Sequence, residues 1–319
     1  MFYSLLKIYA RLAIKIYCSK IVINKPEILK SNGPLLLAAN HPNSFLDGII
    51  LTTLFDQPVH SLARGDAFKN KWVNKFLRSI QLLPVYRTSE GVENLGHNYT
   101  TFAACQKTFE ENGIVLIFSE GRCENEWHLR PLKKGTARLA TTAWQNNIPL
   151  KVLPVALNYS SFKKFGKEVH LFLGEEITVD AIDVTAPQGK QLLDFNSLLQ
   201  NQLQRLVYEI NPKDKARLNH FFPVKRNGAF YLLLIPALAG FLLHAPLFYL
   251  CKFFTELQFK NSGHYDSVLT SLLLIGHPFY VLAAIIAMWF IQPLLALSML
   301  ILFPFTAWAC VQVKCRLEV

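Results

Sequence analysis

The chain has 319 residues, 51% of them apolar and 17% charged, with a formal net charge of +11. That length suits one large or two modest domains, and the basic residues form no aromatic-interleaved patch, so anionic lipid headgroups or phosphorylated ligands are better partners than nucleic acid. The six cysteines (Cys18, Cys105, Cys123, Cys251, Cys310, Cys315) have neither a Cys-x-x-Cys pair nor a zinc-type spacing with histidine. They read as reduced thiols facing a cytoplasm, with no metal site and no disulfide framework.

At the amino terminus Lys7, Arg11 and Lys15 interrupt any continuous apolar run, which excludes a secretory h-region. Those cations lie one helical turn apart on one stripe, while Phe2, Leu5, Leu6, Tyr9, Leu12, Ala13 and Ile16 fall mainly on the other side. The pattern predicts an amphipathic helix within residues 1–20, lying in the headgroup plane of a membrane or packed on its own domain.

From residue 21 to 222 short apolar runs alternate with helical patterns, which predicts an α/β domain with a mixed, partly parallel sheet flanked by helices. Strands are expected at 35–39, 59–63, 82–86, 114–118, 152–158 and 169–173. Helices are expected at 97–111, closed by Gly113 as a left-handed cap, and at 135–144 and 191–208. Ligands gather at the strand ends of such sheets, and each polar motif here sits at one.

Asn40-His41-Pro42-Asn43-Ser44-Phe45-Leu46-Asp47 follows the apolar run Leu35 to Ala39. A histidine delivered by a buried strand, with a carboxylate six positions on, is the minimum needed to take a proton from a hydroxyl. On a regular helix, residues six apart point about 240° away from each other, so the pair meets only if the chain bends. Pro42 and Asn43 suit a bend before a helix capped by Ser44. The structural alternatives are a buried histidine and a helix-capping carboxylate.

Phe118-Ser119-Glu120-Gly121-Arg122 follows the apolar strand at 114–118. Gly121 permits close backbone approach, Arg122 offers a planar fork to phosphate oxygens, and Glu120 can bind a polyol or hold Arg122. Arg87 ends the strand at 82–86, Arg64 follows the strand at 59–63, and Lys133 lies in the basic segment Arg130 to Gly135 before a helix start. Alone, each is more often a surface charge. Convergence of several at strand ends would make a phosphate-binding floor beside a base.

In this order the motifs resemble those of the glycerolipid acyltransferase family, which includes glycerol-3-phosphate and lysophosphatidate acyltransferases. Asn40-His41…Asp47 is similar to its histidine–aspartate block, Pro84-Val85-Tyr86-Arg87 to its second block, Phe118-Ser119-Glu120-Gly121-Arg122 to its Phe-Pro-Glu-Gly block, and Val152-Leu153-Pro154-Val155 to its late strand. The match covers roughly residues 34–160. Two departures stand out: five residues rather than four separate His41 from Asp47, and serine replaces proline at position 119. The longer spacing and the segment from Arg130 to Gly135 resemble the branch that acts on glycerol-3-phosphate and dihydroxyacetone phosphate.

The resemblance implies O-acyl transfer from an acyl-CoA or acyl carrier protein thioester to a hydroxyl of glycerol-3-phosphate or a lysophospholipid, with no cofactor. His41 is the implied general base and Asp47 its orienting carboxylate. Arg87, Arg122 and Lys133 are implied phosphate contacts, with Glu120 and Gly121 shaping the site and Arg64 in reserve. The strand containing Pro154 and the amino-terminal helix are expected to line an acyl tunnel. A lysophospholipid-remodelling enzyme, a hydrolase and an inactive membrane protein are the alternatives.

The tail reads as a membrane region over residues 223–319. The uncharged stretches 229–250, 268–291 and 294–313 give two or three spans. Lys213, Lys215, Arg217, Lys225 and Arg226 before the first stretch place the catalytic domain on the cytoplasmic side of an integral membrane protein. Lys314 and Arg316 favour the same side, hence an even number of crossings. His244 and His277, inside apolar stretches, are expected to bond between helices.

Overall fold

The central strand of the sheet follows directly from composition. Leu35–Ala39 has no polar side chain, and every residue in it is fully buried in the computed structural model, which describes residues 2–86, 96–224 and 228–317. Arg87, Lys225 and Arg226 lie outside the described residues.

In chain order the α/β part of the chain contains α1 (Phe2–Tyr17), β1 (Lys20–Ile23), β2 (Leu35–Ala39), α2 (Phe45–Leu54), β3 (Val59–Arg64), α3 (Lys71–Ser79) and β4 (Leu82–Val85). It continues with α4 (His97–Glu110), β5 (Ile114–Phe118), α5 (Lys134–Gln145), β6 (Lys151–Tyr159), β7 (Glu168–Leu173), α6 (Gln188–Leu206) and α7 (Lys215–Phe221). The strands form one sheet in the order β1-β7-β6-β2-β5-β3-β4. All neighbours are parallel except β6 and β7, so the expected mixed sheet is present.

Alternate residues of β2 and β5 feed two cores. Leu36, Ala38, Val115 and Ile117 pack with Phe109, Ala140, Trp144, Phe195 and Leu199 from α4, α5 and α6. Leu35, Leu37 and Leu116 pack on the other face with Ile14, Tyr17, Leu46 and Ile50 from α1 and α2. Full burial of each such leucine or isoleucine stabilises the fold by about 1.5–3 kcal/mol. Register aligns Ala39 with Phe118 and Val155, so the segments leaving β2 and β5 emerge side by side.

Four local expectations change. The left-handed residue after α4 is Asn112 (φ 56°), not Gly113. Glycine is still required at 113, because a Cβ there would lie 2.5 Å from Thr108 Cγ2. Ser44 occupies the N-cap position of α2 but makes no side-chain cap, its hydroxyl being bonded instead to His264. Strand β1 and helix α3 were not expected, since a four-residue strand and a charge-rich nine-residue helix leave little periodic signal.

Two cations of the basic stripe of α1, Lys7 and Arg11, also turn inward. Lys7 Nζ donates to the Asp56 and Gln57 carbonyls at 3.0 and 2.8 Å, and Arg11 Nε donates to the Thr53 carbonyl at 2.6 Å. Cations there satisfy the free carbonyl end of α2. Phe2, Leu5, Ile8 and Leu12 are left exposed, so the helix presents its apolar face outward.

After α8 (Gly228–Leu232) come α9 (Leu234–Phe259), α10 (Tyr265–Trp289) and α11 (Pro293–Leu317), three helices long and apolar enough to cross a membrane. Three helices do not match the even count suggested by the terminal charges. Gly240 allows α9 to touch α11, since a Cβ there would lie 2.1 Å from the Thr306 carbonyl oxygen. As expected, His244 bonds between helices, its Nε2 lying 3.1 Å from the Phe303 carbonyl oxygen.

Candidate active site

The bend that the sequence required is present. Beyond β2 the chain turns through Pro42, Asn43 and Ser44, the last at φ 53°, before α2 begins at Phe45. This turn brings His41 Nδ1 to 2.9 Å from Asp47 Oδ2.

Asp47 is wholly buried, yet its charge is well compensated. Besides His41, Oδ2 accepts the Asn43 N–H at 2.8 Å, and Oδ1 accepts the Tyr159 hydroxyl at 2.6 Å. The carboxylate also lies in the first turn of α2, where free amides favour negative charge. Because a carboxylate only accepts, the His41 Nδ1 carries the proton and Nε2 keeps its lone pair. The imidazole is stacked on Phe118, with ring centroids 3.8 Å apart and planes 13° apart, which fixes its orientation. A nitrogen so oriented can accept a proton from a hydroxyl brought against it.

Glu120 has a different part from the one the sequence suggested. It is buried, with Oε2 accepting the His41 N–H at 2.9 Å and Oε1 the Arg130 N–H at 3.0 Å. It therefore clamps the two segments together and does not hold Arg122, which pairs with Glu124 at 3.2 Å. Burial outweighs those two bonds and pushes its carboxyl up from 4.5 to about 7.

A carboxyl raised in the folded state takes up a proton on folding, so its contribution to stability is full below the unfolded pKa and is lost as pH rises through the folded one. We expect melting temperature to fall between about pH 4.5 and 7 through this group, by at most about 3 kcal/mol of stability. Melting curves of wild type and Glu120→Gln across that range check this. The decline should be shallower in the variant.

Gly121 has φ +72°, and a Cβ there would lie 2.9 Å from Lys133 Cγ. The position therefore needs glycine for conformation and for space. Arg122 is about half exposed, and Arg130 pairs with Glu126 at 2.6 Å. Arg64 lies at the same edge of the sheet, one strand beyond β5, and pairs with Asp66. The structure thus brings His41, Asp47 and Glu120 into direct contact and places Gly121, Arg122 and Lys133 on the adjoining segment.

Residues absent from the sequence expectations complete the surroundings. Tyr159 holds Asp47, Ser44 Oγ lies 2.6 Å from His264 Nδ1, and Asn43 Nδ2 donates to Asp266 at 2.8 Å. Cys123 accepts the Ser44 N–H, and burial pushes its thiol up to about 12, so it offers no thiolate nucleophile beside the histidine. Among the described residues no cluster of three or more His, Cys, Asp or Glu is placed to hold a metal ion.

An apolar cavity of about 1280 Å³ lies between α1, α9, α10 and α11, with Lys15, Lys163, Lys164, Lys252 and Lys314 among its lining residues. Helix α1, one of the two elements expected to line an acyl tunnel, lines this cavity. Pro154 is buried in the sheet opposite Ala38 and does not line the cavity.

Residues 20–158 match the family model described as Acyltransferase. A curated 1-acyl-sn-glycerol-3-phosphate acyltransferase from Bacillus subtilis (strain 168) is 29% identical over 191 residues, covering 60% of this chain and 89% of the relative. The crystal structure of the 1-acyl-sn-glycerophosphate (LPA) acyltransferase PlsC from Thermotoga maritima aligns at 14% identity with a TM-score of 0.47, over 66% of this chain and 81% of that one.

Proposed function

Because the chain belongs to the glycerolipid acyltransferase family, we propose that it moves a fatty acyl group from a thioester to the free hydroxyl of a 1-acyl-glycerol-3-phosphate at a membrane. The observation that carries this reading is the His41–Asp47 pair at 2.9 Å. His41 Nε2 removes the hydroxyl proton as the acceptor oxygen attacks the thioester carbonyl carbon. The C–S bond then breaks, and the imidazolium returns the proton to the departing thiolate. Asp47 stabilises the imidazolium formed in between. The thioester is already an activated donor, so the chemistry needs no metal.

Arg122, on the segment beside His41, is the leading contact for the acceptor phosphate, with Lys133 and Arg64 as further cations at the same sheet edge. Arg122→Ala should raise the acceptor KM roughly tenfold and leave kcat within about twofold, as expected for a contact already made in the ground state. Initial rates over a range of acceptor concentration check this, and an unchanged KM removes Arg122 from the role.

The membrane placement has several supports. Three apolar helices adjoin the domain, and α1 exposes Phe2, Leu5, Ile8 and Leu12. Helix α3 exposes Trp72, Val73 and Phe76 between Lys71, Lys75 and Arg78, with Phe76 only 6.4 Å from Phe2 between ring centroids. Aromatic and basic residues mixed in this way suit an anionic bilayer surface. The cations of α7, before the first apolar helix, favour a cytoplasmic active site.

Glycerol-3-phosphate is the second reading, favoured by the five-residue spacing between His41 and Asp47. Purified protein given a labelled acyl thioester with each acceptor in turn separates the two. Higher kcat/KM with the lysophospholipid supports the first, and higher kcat/KM with glycerol-3-phosphate supports the second.

A further inference from the structure

Asp266 is the sole acidic residue between Glu256 and Glu318, and it stands in the first turn of α10, a helix of membrane-spanning composition. It is 1% exposed, a costly place for a carboxylate. Its partners explain how the charge is kept. Lys167 Nζ donates to Oδ2 at 2.5 Å, the Tyr17 hydroxyl donates to Oδ1 at 2.5 Å, and Asn43 Nδ2 donates to Oδ2 at 2.8 Å. Free amides at the start of α10 add favourable potential.

These contacts close a ring around the histidine turn. Asn43 gives its side-chain amide to Asp266 and its backbone N–H to Asp47. Tyr159 gives its hydroxyl to Asp47, while its ring lies 5.8 Å from Lys167 Nζ, which returns to Asp266. Next to Asp266, Ser267 donates its hydroxyl to the Asn43 carbonyl at 2.8 Å and accepts the Leu46 N–H at 3.3 Å. The bend that lets His41 meet Asp47 is therefore gripped from α10 on both its carbonyl and its amide side. Asn43 Oδ1 is buried with no partner, so the polar purpose of this side chain is its link to Asp266.

We propose that Asp266 is a positioning residue for acyl transfer, acting through Asn43, so that the first turn of α10 completes the active site and is more than a membrane anchor. Lys167 is the ion-pair partner of Asp266. Both residues lie beyond the segment that matches the family model, which ends at residue 158. The inference rests on His41 and Asp47 being the reacting pair.

Removing Asp266 alone strands a buried lysine and endangers folding. The test therefore replaces the buried polar group together, as Tyr17→Phe with Lys167→Met and Asp266→Leu, because well-packed apolar substitutes for a buried ion pair are commonly neutral. Asn43→Ala cuts the same link from the other end and leaves the ion pair intact. Each full-length protein, in the same neutral detergent, is assayed for kcat and for KM with acyl donor and acceptor, beside His41→Ala.

Each set should lower kcat tenfold or more with both KM values within about twofold. Combined, they should be no slower than the slower of the two, because they break one link. Wild-type kcat in either set, or losses that multiply on combination, overturns the proposal. If the triple variant does not fold, Asn43→Ala decides alone by the same kcat criterion. If His41→Ala is as active as wild type, the catalytic reading itself fails, which is a separate result.

Discussion

Replacing His41 with alanine should lower kcat for acyl transfer by about 10² to 10⁴, the usual worth of a positioned general base. The variant should remain folded and fractionate as the wild type does. His41 stands just beyond the end of β2 and is not a core residue, its side chain being 14% exposed. Its ring contributes one stacked face against Phe118, and its backbone N–H, which binds Glu120, survives the substitution. Steady-state rates with saturating thioester and acceptor, together with a melting curve, check both halves. A large fall in melting temperature would mean that the ring is structural.

Asp47 gives the second large effect, and its two substitutions should differ. Alanine leaves the Asn43 N–H and the Tyr159 hydroxyl without their acceptor in a fully buried site, and it leaves His41 free to take the wrong tautomer. We expect kcat to fall by about 10² to 10⁴ and stability to fall by roughly 3 kcal/mol.

Asparagine is milder for a reason specific to this site. Tyr159 can reverse its hydroxyl to accept from the new amide, so the remaining oxygen still faces His41 Nδ1 and Asn43. What is lost is the charge that stabilises the imidazolium, an effect on the order of 1.5–3 kcal/mol, or roughly 10- to 150-fold in kcat. Kinetics of the two variants side by side check the order. Equal losses would mean that charge, not orientation, is the whole contribution of the carboxylate.

What the sequence disclosed depended on how local the cause was. The strands at 35–39 and 114–118 are legible because burial on both faces demands unbroken apolar runs. His41 and Asp47 are legible as a pair because both sit in one turn, and the need for a bend between them follows from helix geometry alone. The partners of Glu120 are not legible in the sequence, since its backbone donors belong to segments that only the register of β2 and β5 brings together.

Tyr159, Lys167 and Asp266 were missed for the same reason, their partners being 99 to 249 residues away in the chain. One signal was available for Asp266. A lone acid at the start of an otherwise apolar stretch is expensive, and such residues tend to be paired and functional. The inward turn of Lys7 and Arg11 also eluded the sequence, because an amphipathic stripe does not say whether its basic side meets lipid headgroups or the carbonyl end of a neighbouring helix.

The most direct test of the central claim follows a labelled acyl group. Purified full-length protein is given a labelled acyl thioester with 1-acyl-glycerol-3-phosphate, with glycerol-3-phosphate and with no acceptor, and the products are separated by mass. The account predicts label esterified to the phosphorylated glycerol acceptor in wild type and almost none in His41→Ala, with little free fatty acid when no acceptor is present. Label appearing only as free fatty acid, or esterification that persists without the imidazole, would contradict it.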